Sequence, residues 1–83
     1  REGQEFQNSP ILFQGVAPEK TMRVEVNKYT LQSFSLETGE FLYRADPKFK
    51  NLKKGKNLYE IQAFNEEGNL LETISLSLFF SPL

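Results

Sequence analysis

The chain has 83 residues, with ten basic and eleven acidic side chains for a formal net charge of −1, and it contains neither cysteine nor histidine. This length supports one small domain, and no disulfide can reinforce its core. Without thiols and imidazoles the chain lacks the usual near-neutral acid–base and the strongest zinc ligands, and its balanced charge argues against a general nucleic-acid binder. We therefore expect no enzyme, no cofactor, no metal site and no nucleic-acid partner.

The N-terminal quarter of the sequence predicts one strand. Residues 1–9 are polar except for Phe6, which indicates a linker or an edge segment, and the folded domain is expected at 10–83. The apolar run 10–14 begins with proline and suits a first strand at a sheet edge, because proline cannot donate a ladder hydrogen bond. Residues 16–21 carry proline and charged side chains and indicate a turn.

Two or three further strands are predicted between residues 22 and 45. Residues 22–27 alternate apolar and polar side chains, which is the period of a half-buried strand. A tight reversal follows at Asn27 and Lys28. The alternation continues beyond it at Tyr29, Leu31 and Phe34. Residues 37–40 indicate a second turn, and the strand 41–45 is expected to place three side chains on one face: Phe41, Tyr43 and Ala45.

The segment 46–57, called here the lysine loop, interrupts this strand pattern. Asp46 is a good helix N-cap and Pro47 suits the first helical position, so a single helical turn is predicted, with Gly55 ending it. The turn is expected to direct two apolar side chains into the core: Phe49 and Leu52. The loop is therefore predicted to cross between two sheets.

The C-terminal third predicts a long hairpin. Residues 58–64 alternate, with Tyr59, Ile61 and Ala63 on one face. Residues 65–69 suit a hairpin connection in which glycine supplies a positive φ. Residues 70–80 close the domain with a second alternating set: Ile74, Leu76 and Leu78. Short strands at regular spacing, without a sustained helical period, predict an all-β, immunoglobulin-like antiparallel sandwich of about six or seven strands.

A resemblance supports this fold prediction. The pattern L-x-x-G-x-N-x-Y-x-I-x-A, followed by G-N, resembles bacterial immunoglobulin-like domains of the Big type, which occur in tandem on secreted and surface proteins. The motif residues are Leu52, Gly55, Asn57, Tyr59, Ile61, Ala63 and Gly68. The valine-rich strand 22–27 and the aromatic strand 41–45 follow the same order. Fibronectin type III domains are the nearest alternative. The resemblance implies a spacer or adhesion module without an active site.

Three motif residues have a physical reason to occur in a loop between sheets. Gly55 permits a sharp turn, and the side-chain amide of Asn57 can bond the backbone of that turn. Tyr59 can bury its ring and donate its hydroxyl to backbone upstream, as in the tyrosine corner of immunoglobulin-like domains. Each of the three is therefore predicted to stabilise the fold.

Four other chemistries have simpler structural explanations. Residues 65–69 offer oxygen ligands for calcium but lack the Asp-rich spacing of a calcium loop. Glu37 and Glu40 form a carboxylate pair with nothing to separate their pKa values. The serines have no histidine to act as their base: Ser33, Ser35, Ser75, Ser77 and Ser81. A Lys–Asn cross-link, as in some surface immunoglobulin-like domains, has candidate residue types in Lys28, Asn27, Asn57 and Asn65.

The lysine loop is the candidate ligand-contact segment. It carries half of the positive charges, and the candidate residues are Lys48, Phe49, Lys50, Lys53, Lys54 and Lys56. One interpretation is contact with an anion or a polymer, with the aromatic ring at its centre. The other is a solvated loop whose lysines keep the sandwich soluble and discourage edge pairing. We favour the solvated loop from the sequence.

These observations predict a non-catalytic spacer or adhesion module of a larger secreted or cell-surface bacterial protein. The alternatives are a glycan- or protein-binding module and an accessory domain of a secreted enzyme. Its expected partners are neighbouring domains of the same chain, and the isolated domain is expected to be a monomer. The apolar stretch 70–83 is interrupted by polar side chains and too short to cross a bilayer, so no membrane insertion is expected.

Overall fold

The computed structural model describes residues 4–82, and of Gln4 the backbone alone, as an all-β arrangement of two sheets. This confirms the all-β prediction at the level of fold class. The described strands are β1 (Gln4–Phe6), β2 (Ile11–Val16), β3 (Arg23–Val26), β4 (Tyr29–Thr30), β5 (Glu40–Ala45), β6 (Gly55–Phe64) and β7 (Leu70–Phe80). A 3-10 turn at Pro47–Phe49 separates β5 from β6.

Five strands form one sheet in the order β1-β7-β6-β3-β4, and β2 pairs with β5 in a second sheet. The pairs are antiparallel except for β1 and β7, which run parallel with Gln4 opposite Leu78 and Phe6 opposite Phe80. The sequence did not predict this parallel contact. The predicted segment 1–9 therefore contributes an edge strand at Gln4–Phe6, whereas residues 1–3 and residue 83 lie outside the described part of the chain.

The core lies between the two sheets. Its buried side chains come from both sheets and from the loops beside them: Ile11, Val24, Val26, Leu31, Tyr43, Ala45, Leu52, Tyr59, Ile61, Leu78 and Phe80. An aromatic trio links the sheets at the level of the lysine loop. The ring centroid of Phe13 lies 5.0 Å from that of Tyr59 and 5.9 Å from that of Tyr43. Such offset and tilted ring contacts add to the burial of apolar surface.

The alternation in β3, β5 and β6 places side chains as the sequence predicts. Tyr59, Ile61 and Ala63 are buried along β6, with exposed or half-buried residues between them. Asn27 and Lys28 both adopt positive φ, 50° and 73°, in the reversal between β3 and β4. Two positive φ values are typical of a two-residue hairpin turn, whose twist matches that of the flanking strands.

Two predictions for the lysine loop are wrong. Phe49 does not enter the core, because its side chain is 59% exposed, whereas Leu52 is buried. The helical turn also ends earlier than predicted, at Lys50, which has a φ of 60°, while Gly55 with a φ of 97° opens β6. In a 3-10 helix residues three apart share a face. The left-handed residue at Lys50 reverses the chain between Phe49 and Leu52, so that only Leu52 turns inward.

The alternation of β7 fits the core only in its second half. Leu78 and Phe80 are buried and Leu76 is half-buried, but Ile74 is 42% exposed. The hairpin tip beyond Ile74 is also exposed, and its connection adopts the predicted positive φ at Gly68. In the described part of the chain the second sheet has two strands against five in the larger sheet, so part of the larger sheet stays uncovered. The candidate site is at the opposite end of β6, where the lysine loop meets the core.

Candidate functional site in the lysine loop

Polar side chains hold the lysine loop against β5. The Asp46 carboxylate accepts a hydrogen bond from the backbone N–H of Lys48 at 3.0 Å and thereby caps the 3-10 turn. The Asn51 Oδ1 accepts from the backbone N–H of Asp46 at 2.7 Å. The Asn51 Nδ2 donates to the Tyr43 hydroxyl at 2.9 Å and to the Arg44 carbonyl at 3.0 Å. The backbone of the loop is therefore fixed by side-chain contacts.

Asn57 and Tyr59 complete this scaffold from the side of β6. The backbone N–H of Lys53 donates to Asn57 Oδ1 at 2.9 Å, and Asn57 Nδ2 donates to the carbonyls of Lys53 and Gly55 at 2.8 and 3.1 Å. The Tyr59 hydroxyl donates to the Asn51 carbonyl at 2.7 Å. These are the kinds of contact that the sequence predicts for Asn57 and Tyr59. They satisfy backbone groups that the loop would otherwise leave unpaired near the core.

Three titratable groups of the scaffold have pKa values shifted further away from neutral pH. Burial raises the pKa of Tyr59 to about 12. Burial also raises the pKa of Tyr43, although the hydrogen bond from Asn51 opposes part of this change. The Lys48 N–H lowers the pKa of Asp46, and the Arg44 guanidinium, 3.2 Å from the carboxylate, adds to this effect. A general acid or base needs a pKa near the working pH, so these groups suit a scaffold and not proton transfer.

An open groove of about 840 Å³ lies between β4 and the lysine loop. Two aromatic side chains line it, Tyr29 with 57% and Phe49 with 59% of its surface exposed. We call it the Tyr29–Phe49 groove. The Arg44 guanidinium lies 5.8 Å from the centroid of the Phe49 ring, within the range of a cation–π contact. Polar residues also line the groove, among them Gln32, Ser33, Lys50 and Asn51.

A second depression of about 400 Å³ continues from the Tyr29–Phe49 groove. It shares three lining residues with the groove, Asn27, Lys50 and Asn51. It adds the side chains of Lys53, Lys56 and Leu58. The shared residues make the two depressions one continuous surface on the domain.

The structure brings together part of the predicted ligand-contact segment. All five lysines and Phe49 are exposed, but only Phe49, Lys50, Lys53 and Lys56 line the continuous surface.

The seven structural-motif residues lie in two parts of the domain. Five are buried near or along β6, namely Leu52, Asn57, Tyr59, Ile61 and Ala63. Gly55 is half-buried as the first residue of β6, and Gly68 lies at the far hairpin.

Three residues that shape this site were not predicted from the sequence. Asn51 was given no role, although it joins Tyr43, Asp46 and the turn in one network. Asn27 was predicted only in a turn and as a candidate for a Lys–Asn cross-link. Its Oδ1 accepts a hydrogen bond from the Glu60 N–H at 2.8 Å, and its Nδ2 donates one to the Leu58 carbonyl at 3.1 Å. The side chain thereby bonds the backbone of β6 beyond the point where the pairing of β6 with β3 ends. Asparagine beside a turn was the available signal, since its amide readily bonds backbone.

Tyr29 is the third of these residues. The alternation indicated that it points inward, yet it lies on a two-residue strand at the sheet edge and is exposed. No sequence pattern distinguishes an aromatic residue at the end of a half-buried strand from one in its middle, because both occupy the same phase of a period of two.

The other candidate chemistries find different placements. The Asn65 Oδ1, a candidate calcium ligand, accepts the Asn69 N–H at 2.8 Å and so serves the hairpin turn. Within residues 4–82 no three acidic side chains cluster as a metal site would require. No helix in the same residues is long and apolar enough to cross a membrane.

Comparisons with protein-family models, with curated proteins and with solved structures find no match for this chain. The resemblance to bacterial immunoglobulin-like domains therefore stays a prediction.

Proposed function

We propose that this domain is a non-catalytic, immunoglobulin-like β-sandwich module of a larger secreted or cell-surface bacterial protein, in which it spaces or presents neighbouring domains and withstands tension. The observation that carries this proposal is the pairing of the first strand with the last. β1 and β7 are parallel neighbours at the edge of the five-stranded sheet.

This pairing suits a module that is pulled by its ends. Because β1 and β7 run in the same direction, tension on the chain before Gln4 and after Phe80 pulls the two strands in opposite senses along their length. Their hydrogen bonds are then loaded together in shear instead of opening one after another. The backbone N–H of Ser81 also donates to the Phe6 carbonyl at 2.8 Å, and the Ser81 hydroxyl lies 3.1 Å from a Glu5 carboxylate oxygen. These contacts lengthen the junction beyond β7.

The shape of the domain supports the same role. Its principal extents are 43 × 18 × 18 Å. A strand rises about 3.3 Å per residue, so the eleven residues of β7 account for most of the long dimension. The strands therefore run along the long axis, and tension applied through β1 and β7 acts along that axis.

Single-molecule pulling through the two termini tests this proposal. We expect one abrupt unfolding event, with a gain in length close to that of the whole domain at about 3.5 Å per residue. Gradual extension without a resolved event would contradict a role under tension. The absence of cysteine from the sequence allows introduced cysteines to serve as unique attachment points.

A second candidate function, ligand binding by the same module, is supported by the exposure of Phe49 and Tyr29. Exposed aromatic rings contribute little to folding, and both line one groove. We expect Phe49→Ala to leave the melting temperature nearly unchanged, because surface substitutions usually change stability by less than about 0.5 kcal/mol. A large loss of stability would instead assign the ring to the fold.

A further inference from the structure

The groove and its continuation carry an excess of positive charge. Their lining includes Arg44, Lys50, Lys53 and Lys56, and no carboxylate lines either depression. Among the described residues Arg44 alone of these four has a carboxylate within 4 Å, that of Asp46. From Arg44 to Lys56 the sequence holds six basic residues and one acidic residue, whereas the rest holds four basic and ten acidic. A local excess of one sign attracts ligands of the other sign.

Tyr29 and Phe49 add two exposed aromatic rings to the same surface. The phenyl ring of Phe49 follows the capped 3-10 turn, which the Asp46 and Asn51 contacts hold in place. Tyr29 lies on β4, next to the Asn27–Lys28 reversal. The face of an aromatic ring carries a partial negative charge and attracts the polarised C–H groups of another ring. One face of a pyranose sugar presents such C–H groups, whereas the side chains of aspartate and glutamate contain no ring that could lie against an aromatic face.

We propose that the Tyr29–Phe49 groove and its lysine-lined continuation bind a linear acidic polysaccharide, with pyranose rings on Tyr29 and Phe49 and sugar carboxylates opposite Lys50, Lys53 and Lys56. This inference rests on the ligand-binding role proposed above and is independent of the mechanical role of β1 and β7. Gln32 and Ser33, both exposed at the groove, supply hydrogen-bonding groups for sugar hydroxyls. The continuity of the two depressions favours a chain of sugars over a single sugar.

The test is a titration of the purified domain with three probes of matched length: an oligogalacturonate, a neutral dextran oligomer and poly-L-glutamate. We expect saturable binding of the oligogalacturonate, at least tenfold tighter than binding of either other probe. The affinity should fall steeply as salt is added, because the lysines contribute through charge. Equal binding of poly-L-glutamate would overturn the inference and assign the site to acidic polypeptides. Equal binding of dextran, or no binding of oligogalacturonate, would also overturn it.

Variants locate the binding on the surface. Phe49→Ala and Tyr29→Ala should each weaken oligogalacturonate binding at least tenfold without changing the melting temperature by more than a few degrees. Phe79→Ala is the matched control, because Phe79 is an aromatic residue of β7 that is 44% exposed and does not line the groove. Unchanged affinity in both groove variants, or an equal loss in Phe79→Ala, would contradict the proposed placement.

The charge contribution has its own pair of variants. Lys50→Asn with Lys53→Ser should weaken oligogalacturonate binding at least tenfold and flatten its dependence on salt. Asparagine is chosen at position 50 because it tolerates the positive φ that Lys50 adopts there. Lys20→Asn is the control, because Lys20 also adopts a positive φ, 73°, but lies in the turn before β3 and does not line the groove. A salt dependence that the double variant leaves unchanged would refute the assignment of the carboxylates to this loop.

Discussion

The hydroxyl of Tyr59 provides the sharpest test of how the lysine loop is held. It donates to the Asn51 carbonyl at 2.7 Å, and the tyrosine side chain is 2% exposed. Tyr59→Phe keeps the ring and its contacts with Phe13 and Tyr43 but leaves the carbonyl without this donor. A buried polar group that loses its partner costs about 1–3 kcal/mol. A domain of this size has about 4–12 kcal/mol of stability in total, so the loss should be large enough to measure.

Urea denaturation measures this cost. With a slope of about 1 kcal/mol per molar urea for a small domain, the midpoint of Tyr59→Phe should lie about 1–3 M below that of the wild type. Tyr29→Phe is the matched control, because it makes the same chemical change in a side chain that is 57% exposed. We expect the control to shift the midpoint by less than about 0.5 M. Equal midpoints for the two variants would refute the assigned role of the Tyr59 hydroxyl.

Three further predictions concern the same core. Ile61→Asp should prevent folding, because Ile61 is buried between the sheets and an unpaired charge there is very costly; a native circular dichroism spectrum would contradict this. Raising the pH from about 10, the usual pKa of tyrosine, to about 12 should lower the stability of the domain. The raised pKa of Tyr59 favours the folded state only while the hydroxyl stays protonated. Tyr59→Phe should make this loss of stability with pH less steep, and an unchanged slope would contradict the prediction. Thermal melts with and without a strong chelator should overlay, and a lower melting temperature with chelator would reopen the calcium hypothesis for residues 65–69.

The sequence predicted the regular parts of this fold well because their signals are local. Period-two alternation locates β3, β5 and β6, and the buried face of β6 follows directly from it. Turn chemistry is equally local. The positive φ of Gly68 and the reversal at Asn27 and Lys28 depend on residues within one turn.

The errors arose where the sequence carries no local signal for the outcome. Phe49 is a large apolar residue of the kind that usually packs in a core, but the positive φ of Lys50 turns the chain so that the Phe49 ring stays exposed. Lysine carries no sequence signal for that conformation, which non-glycine residues adopt infrequently. The same limit applies to β1. Its three residues find a partner more than seventy residues away, and three residues are too few to show a period.

The candidate site was predicted in part for the same reason. The lysines and Phe49 are close in sequence, so composition alone identified their loop. Tyr29 comes from β4 and Arg44 from β5, and only the paired sheets bring them to the same groove. Exposure shows that Phe49 lies outside the core, and its contact with a ligand stays a proposal.

The proposed mechanical role is tested most directly by comparing two pulling directions in the same domain. In one, force is applied through the termini and loads the parallel β1–β7 pair in shear. In the other, cysteines introduced at Lys56 and Phe79 pull on exposed residues that face each other near the open end of the β6–β7 hairpin, so that its hydrogen bonds break one pair at a time. We predict a clearly higher unfolding force through the termini than through the hairpin. Equal forces, or a lower force through the termini, would contradict a module built to withstand tension.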